Sequence, residues 1–271
     1  MEPSDAGPAD TAMMGIVHSA LRRDLTRTST ALVAEPETRD AQRAALTAHL
    51  AWMMDFLHRH HEGEDAGLWP LVRSLNPSAG DLLDQMEHDH AQIAPAMAAV
   101  STATRRYAAD GSAQSRDGLV AALESLRAVL DPHLLREEQE MMPVVSKTLT
   151  HAQWESFNQE HYIKPKSKSE LGREGHWLID SIDSTGYKVV VGNVPPIPRF
   201  ILLHAFAGRY ARDCAARWGR PCRSSRCRSS WSRVDPLPAG RCGRCRAWHA
   251  CRDGVRCRPD RGRRAATPRS P

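Results

Sequence analysis

The sequence predicts an all-α protein whose centre is an up-down four-helix bundle. Four stretches of the chain carry apolar residues at helical spacing, and turn signals separate them. Two of these stretches end in the same pattern, which reads EDAGLWPLV at 64–72 and EEQEMMPVV at 137–145. Histidines lie before both copies, and the helices of a four-helix bundle can each direct such a residue into a shared interior.

The first two helices are predicted over 11–34 and 38–74, with a turn at Ala34-Glu35-Pro36. The spacing places four residues of the first helix on its buried face: Met14, His18, Leu21 and Leu25. The second helix has a longer inner stripe: Leu50, Met54, Leu57, His61, Asp65, Leu68 and Val72. Pro70 removes a backbone hydrogen bond and should bend this helix.

The third and fourth helices are predicted over 79–110 and 114–149. Ser78 and Asp81 have the spacing of a capping box at the start of the third helix. Its inward residues, near His88, are Leu82 or Leu83, Met86 and Ile93. The fourth helix is built on Leu119, Leu123, Leu126, Val129 and Leu130. Pro95 should kink the third helix, and Pro132 should distort the fourth.

Residues 151–213 are expected to form an extension that packs on the bundle domain, 11–150. Thr150 and Gln153 begin a short helix that ends near residue 161. Residues 162–175 have the composition of a flexible linker or lid loop, the β-branched run at 188–194 favours an extended segment, and a last helix is predicted near 199–212. About 60 residues with few large apolar side chains would form only a weak core by themselves.

Charge divides the chain into an acidic body and a basic tail. From Arg209 onward there are 18 arginines and 4 acidic residues, whereas residues 1–208 carry a net charge of −9. All seven cysteines lie between Cys214 and Cys257, so the body has no disulfide framework and no thiol chemistry. We interpret 214–271 as disordered or frameshifted, in preference to a nucleic-acid-binding tail or to a zinc site at Cys242, Cys245, Cys251 and Cys257.

The first ten residues are acidic, contain proline and glycine, and are predicted to be disordered. They lack the basic and apolar regions of a signal peptide. No apolar run approaches the roughly 18 residues that span a bilayer. We therefore expect a cytoplasmic protein with neither a membrane nor a nucleic acid as its partner.

The stretch HRHHEGEDAGLWP at 58–70 carries the strongest chemical signal. It has three histidines and three carboxylates within eight residues, His58 to Asp65. His61 and Asp65 share a helix face with Leu68, so both should be buried. A buried carboxylate is costly unless a cation meets it, and a metal ion is one such cation. The alternative is a solvated face with a core histidine, and the second copy of the pattern favours the metal.

These motifs resemble a bacterial hemerythrin domain of the cation-binding HHE type. The resemblance covers roughly residues 10–150: one histidine in the first helix, HHEGED in the second, EH in the third and H-x4-E in the fourth. The onward segments LGREGHWLID and VPPIPRFILLH resemble the C-terminal extension of actinobacterial hemerythrin-like proteins.

The resemblance implies two non-haem irons joined by an oxo or hydroxo bridge. His18 and His61 would bind one iron, and His88 and His133 the other. Asp65 would bridge them, together with one of two neighbouring glutamates. The internal repeat favours Glu138 for this role, whereas helical spacing from His133 favours Glu137; the two remain alternatives.

The chain departs from the oxygen-carrying hemerythrins at Gln92, where they have a fifth histidine. Glu62 is the expected substitute, and His90 is a weaker candidate. A carboxylate in place of an imidazole stabilises the ferric state, so the resemblance implies redox turnover of hydrogen peroxide or nitric oxide in stress defence. The alternative is a non-catalytic protein that binds or senses dioxygen, nitric oxide or iron.

Overall fold

The structure, a computed structural model, describes residues 6–34 and 39–218. Helix α1 spans Ala12–Ala34. The second predicted helix is a continuous rod made of α2 (Asp40–Gly63), a π-helical segment (Glu64–Leu68) and α3 (Trp69–Leu75). After a 3-10 turn comes α4 (Gly80–Asp110), and the fourth rod consists of α5 (Ala113–Arg136), a second π-helical segment (Glu137–Met141) and α6 (Met142–Thr148). The all-α bundle is confirmed.

The bundle core consists of two apolar clusters. Buried residues of α4 recur with alternating steps of three and four, as in the seam between packed helices: Leu83, Met86, His90, Ile93, Met97 and Val100. Leu83 and Met86 belong to one cluster, and Ile93 and Met97 to the other. His90 lies between them in the same stripe, so a polar site interrupts an otherwise continuous core.

Each π-helical segment of the bundle ends two residues before a proline. The N–H of Trp69 donates to the carbonyl of Glu64, five residues back, and Pro70 follows. Met142 and Pro143 repeat this arrangement in the fourth rod. The wider turn fits proline chemistry, because the ring has no N–H and clashes with the carbonyl four residues before it. By contrast, α4 and α5 run through Pro95 and Pro132 as α-helix, and the distortion expected at Pro132 is not seen.

The extension is helical in its described part, and two sequence predictions were wrong there. Its elements are α7 (His151–Asn158), a π-helical segment (Gln159–Ile163), α8 (Lys168–Ile179), α9 (Ser184–Gly192), α10 (Pro196–Ala205) and α11 (Ala207–Trp218). α8 occupies much of the expected loop 162–175, because Ser167 and Glu170 form a capping box. α9 replaces the expected extended segment, because Asp183 caps its first turn and Val190 is buried.

The chain ends also differ from expectation where they are described. The N–H of Ala9 donates to the carbonyl of Leu149, and the N–H of His151 donates to that of Gly7, so 7–10 are fixed against the bundle. α11 continues six residues past the predicted end at 212, to Trp218. The remainder of the predicted tail, 219–271, lies outside the described residues. The capping box expected at Ser78 is not formed, since its hydroxyl instead donates to Asn76.

A buried carboxylate joins the extension to the bundle. Asp24 is fully buried, and its Oδ2 accepts hydrogen bonds from Nε2 of His49 at 2.8 Å and from Nε1 of Trp177 at 3.1 Å. Its Oδ1 accepts from Nε of Arg23 at 2.8 Å, and Arg217 of α11 donates to Nδ1 of His49. None of the helices in the described ranges is both long enough and apolar enough to cross a membrane.

Candidate metal centre

Seven buried histidines and glutamates face one another inside the bundle. The histidines come from α1, α2, α4 and α5, and each π-helical segment of the bundle supplies a glutamate as its first residue. We call these seven the inner residues: His18, His60, His61, Glu64, His90, His133 and Glu137. None is more than 6% exposed, so their arrangement is isolated from bulk water.

The inner residues contain two groups of potential metal ligands. The three-histidine cluster consists of His61, His90 and His133, and the two-histidine cluster consists of His18, His60 and Glu137. Within each cluster the candidate ligand atoms lie within 4.8 Å of one another. Each cluster can therefore surround one ion.

Glu64 connects the two clusters from the first π-helical segment. Its Oε1 lies 3.2 Å from Nε2 of His60, and its Oε2 lies 3.6 Å from Nε2 of His90. These histidines belong to different clusters. One carboxylate thus faces both, which is the position of a bridging ligand.

Glu137 makes the equivalent connection from the second π-helical segment. Its Oε2 lies 3.3 Å from Nε2 of His18 and 3.7 Å from Nε2 of His133. Both glutamates are fully buried. Two buried carboxylates in one interior repel each other and lose hydration unless cations lie between them.

The unpaired atoms of the site fit metal ions. Nε2 of all five inner histidines and all four oxygens of the inner glutamates are buried and lack a hydrogen-bond partner among the described residues. Such atoms normally find partners, and carboxylate oxygens and unprotonated ring nitrogens only accept. Acceptors that face one another cannot satisfy each other, whereas a cation can be shared by several of them.

Residues 11–145 match the family model of the Hemerythrin HHE cation binding domain. The matched segment contains all seven inner residues and the four rods of the bundle up to Val145. No curated protein and no solved structure matches the chain. The bundle is therefore a hemerythrin-like HHE domain, and the protein binds metal.

Two further carboxylates hold histidines of the HHE domain from outside. Oδ1 of Asp65 accepts a hydrogen bond from Nδ1 of His90 at 2.7 Å. Oε1 of Glu138 accepts from Nδ1 of His18 at 2.9 Å and from Arg22 at 2.7 Å. A histidine that donates through Nδ1 keeps Nε2 free as a metal ligand, and such partners fix the orientation of the ring.

The structure brings together half of the residues singled out from the sequence. Four of them are inner residues: His18, His61, His133 and Glu137. Asp65, expected to bridge the metals, and Glu138, one of the two alternatives for the second bridge, instead lie behind histidines, as described above. Glu62 and His88 are exposed and belong to neither cluster. The pairing differs as well, because His18 shares its cluster with His60 and not with His61.

Sequence reasoning missed two inner residues of the HHE domain, His60 and Glu64, and gave a third, His90, only as a weaker candidate. The stripe of α4 runs through Met86, His90 and Ile93, so helical spacing was the signal that excluded His88. Gln92 is exposed, and its position is not that of a lost fifth ligand. Five histidines belong to the two clusters or face them, and Glu62 is exposed, so the argument for a carboxylate substitute at Glu62 no longer applies.

Burial and charge prepare the inner residues for a cation. Burial lowers the pKa of His60 to about 3 and that of His133 to about 4, so both rings are neutral near pH 7. Burial raises the pKa of Glu137, but the imidazoles, His18 foremost, outweigh it and lower the value to about 2. Burial and the Glu137 carboxylate hold the pKa of Glu64 well above its usual range. A cation binds neutral imidazole and ionised carboxylate, so it would displace the proton of Glu64.

Lowering the pH from about 6.5 to about 5 is expected to destabilise the metal-free protein. Four buried histidines have lowered pKa values, so they bind protons when unfolded and not when folded: His49, His60, His61 and His133. The stability that each contributes above pH 6.5 is lost as the pH falls, by up to about 2 kcal/mol per histidine at pH 5. His18, Glu64 and Glu174, with raised pKa values, oppose this with three groups. Urea unfolding at the two pH values measures the net loss, and equal midpoints would contradict it.

Proposed function

We propose that this chain is a non-haem di-iron protein whose ligands are small molecules: dioxygen, nitric oxide or hydrogen peroxide. The observation that carries the proposal is the set of nine buried, unpaired acceptor atoms on five histidines and two glutamates. Imidazole and carboxylate groups are suitable ligands for iron, and inward-facing glutamates that hold two metal ions are typical of di-iron helix bundles. Bound iron would supply the redox chemistry, while the protein supplies the ligands and a dry interior.

The donor count differs between the two clusters. Three imidazoles face one ion and two face the other, while Glu64 and Glu137 serve both. An ion that prefers six ligands therefore has one fewer protein ligand beside His18 and His60. We infer that a small ligand binds on this two-histidine side.

Reversible binding of dioxygen or nitric oxide is the function that this donor set supports best. The case for redox turnover rested on a carboxylate in place of a fifth imidazole, and Glu62 is exposed. Peroxide turnover in stress defence is the second candidate. It is favoured by a buried carboxylate, Glu174, in a cavity beside His60. A cytoplasmic location and kinship with actinobacterial hemerythrin-like proteins remain predictions.

The purified protein is expected to bind two irons per chain and to be yellow to orange, because ferric pairs joined by an oxo bridge absorb in the near ultraviolet. Metal analysis after anaerobic iron loading, together with the absorption spectrum, tests this expectation. A single zinc per chain, or no metal, would contradict it. Sustained oxygen evolution from peroxide would identify an enzyme, whereas reversible oxygen uptake without turnover would identify a binding protein.

A further inference from the structure

A cavity of about 270 Å³ lies between the bundle and the extension. Its walls are mainly apolar and come from α1, α2, α7 and α8: Met13, Val17, Phe56, Trp154 and Leu178. His60 also lines it. The cavity thus connects the extension with one member of the two-histidine cluster.

The extension approaches His60 closely because Gly63, three residues further along α2, has no side chain. A Cβ atom on Gly63 would lie 2.8 Å from Cε1 of Tyr162, so only glycine permits this contact. The Tyr162 hydroxyl donates to the backbone oxygen of His60 at 2.9 Å, and the two rings lie 5.8 Å apart. The π-helical segment Gln159–Ile163 therefore forms part of the cavity wall beside the metal centre.

Polar and charged side chains also line the cavity, such as Asp10, Arg59 and Asn158, and two of them form a buried ion pair. Nζ of Lys166 donates to Oε2 of Glu174 at 2.6 Å, and both side chains are about nine-tenths buried. The other oxygen of Glu174, Oε1, is buried and has no hydrogen-bond partner among the described residues. An unpaired buried acceptor is costly, so this oxygen points to a ligand with a hydrogen to donate.

A second opening reaches the other side of the metal centre. It is an open groove of about 1060 Å³ between α2 and α4, lined by His61 and His90 and by small residues that include Ala91 and Ala94. This groove meets the three-histidine cluster, whose ion has more protein ligands. The donor count and the unpaired Glu174 oxygen both favour the smaller cavity.

We propose that the cavity between the bundle and the extension is the chamber through which a small ligand reaches the two-histidine side, and that Lys166 and Glu174 select its charge. The ligands that the pair would favour have two or three heavy atoms and are anionic or donate a hydrogen bond: hydrogen peroxide, the second candidate of the proposed function, and azide as an anionic probe. This inference rests on the proposed function. The extension then has a role in ligand access as well as in packing.

Filling the cavity tests the route. In the full-length, iron-loaded protein, Leu178→Trp is expected to slow azide association by about tenfold or more, within the range over which such rates vary among variants. The matched control is Ala94→Trp, which fills the open groove and should leave the rate unchanged. A slower rate in the control alone, or in neither variant, overturns the proposal.

Changing the charge of the pair tests its role by the sign of the effect. Glu174→Gln leaves Lys166 uncompensated and should speed azide association, whereas Lys166→Met should slow it, because charges act strongly in a partly dry site. Neither variant should alter the association rate of nitric oxide, which is neutral. If the pair were purely structural, replacing either member would change the association rates of azide and nitric oxide alike. That result, or no change in either rate, rejects the proposed role of the pair.

An experiment on the metal-free protein tests the cavity independently of the proposed di-iron function. Crystals of the metal-free, full-length protein under xenon pressure should hold xenon against the apolar walls, and Leu178→Trp crystals should not, since xenon occupies apolar cavities of this kind. Absence of xenon from the wild-type cavity overturns the chamber whatever the iron content. Xenon in the cavity of a protein that takes up no iron would reject the di-iron function instead.

Discussion

Replacing His90 with alanine is expected to empty the three-histidine cluster, so that metal analysis finds at most one iron per chain. The change removes one of three imidazoles and leaves Glu64 and Glu137 buried with less compensating charge. A buried charge that loses its partner typically costs about 3–5 kcal/mol, so the iron-treated protein should also unfold at lower urea concentration.

The neighbouring His88→Ala is the matched control, because His88 is exposed two residues away on the same helix. It should change neither the iron content nor the urea midpoint. Asp65→Asn gives an intermediate case: it weakens the hydrogen bond that orients His90, and such changes lower metal affinity by about 10–100-fold. Loss of iron in His88→Ala with full iron in His90→Ala would show that the assigned register of α4 is wrong.

Replacing Asp24 with alanine is expected to lower the free energy of unfolding by about 3–5 kcal/mol. Burial raises the pKa of this carboxyl, but hydrogen bonds, from His49 first and then from Arg23, hold it below its usual range, so it is ionised. Its removal leaves Nε1 of Trp177 without this acceptor and the guanidinium group of Arg23 without its counter-charge. Urea unfolding followed by tryptophan fluorescence measures the loss.

The control for Asp24 is Asp84→Ala, which removes an exposed ion pair with Arg73. Solvent screens such pairs, so the midpoint should stay within error. Because Asp24 lies outside both metal clusters, Asp24→Ala protein that remains folded should still bind iron. An unchanged midpoint in Asp24→Ala would mean that the buried network contributes nothing to the attachment of the extension.

The four-helix bundle could be predicted because its apolar residues repeat with helical spacing over long stretches. The same spacing contained more of the site than sequence reasoning drew from it. In α4 the alternating steps of three and four select His90, and in α5 they select His133 and then Glu137. His88 was favoured by a short motif, although it does not fit this register.

The repeated pattern was informative, but the sequence analysis gave the bridging role in the first copy to Asp65, which is the second of its two acids. Glu64 aligns with Glu137 and Asp65 with Glu138; the first acid of each copy faces the clusters and the second holds a histidine from behind. The repeat alone does not say which of two adjacent acids faces the interior, whereas helical spacing from His133 favours Glu137. The helix at 184–192 was missed for another reason, since capping by Asp183 overrides the β propensity of its valines.

The π-helical segments also determine how the chain tolerates changes in length. Each holds an extra residue between a glutamate that faces the metal clusters and the apolar residues that follow, Leu68 and Trp69 in the first copy. Deleting one residue there would close the wide turn to an ordinary α-helical one, in which the N–H of Trp69 bonds to a carbonyl four residues before it. The residues after the segment would keep their orientation, so Trp69 would stay in the core and Glu64 in place. Elsewhere in a rod, the loss of one residue rotates everything that follows by about 100°. The π-helical segments are therefore the points within the rods at which the loss of one residue is tolerated best.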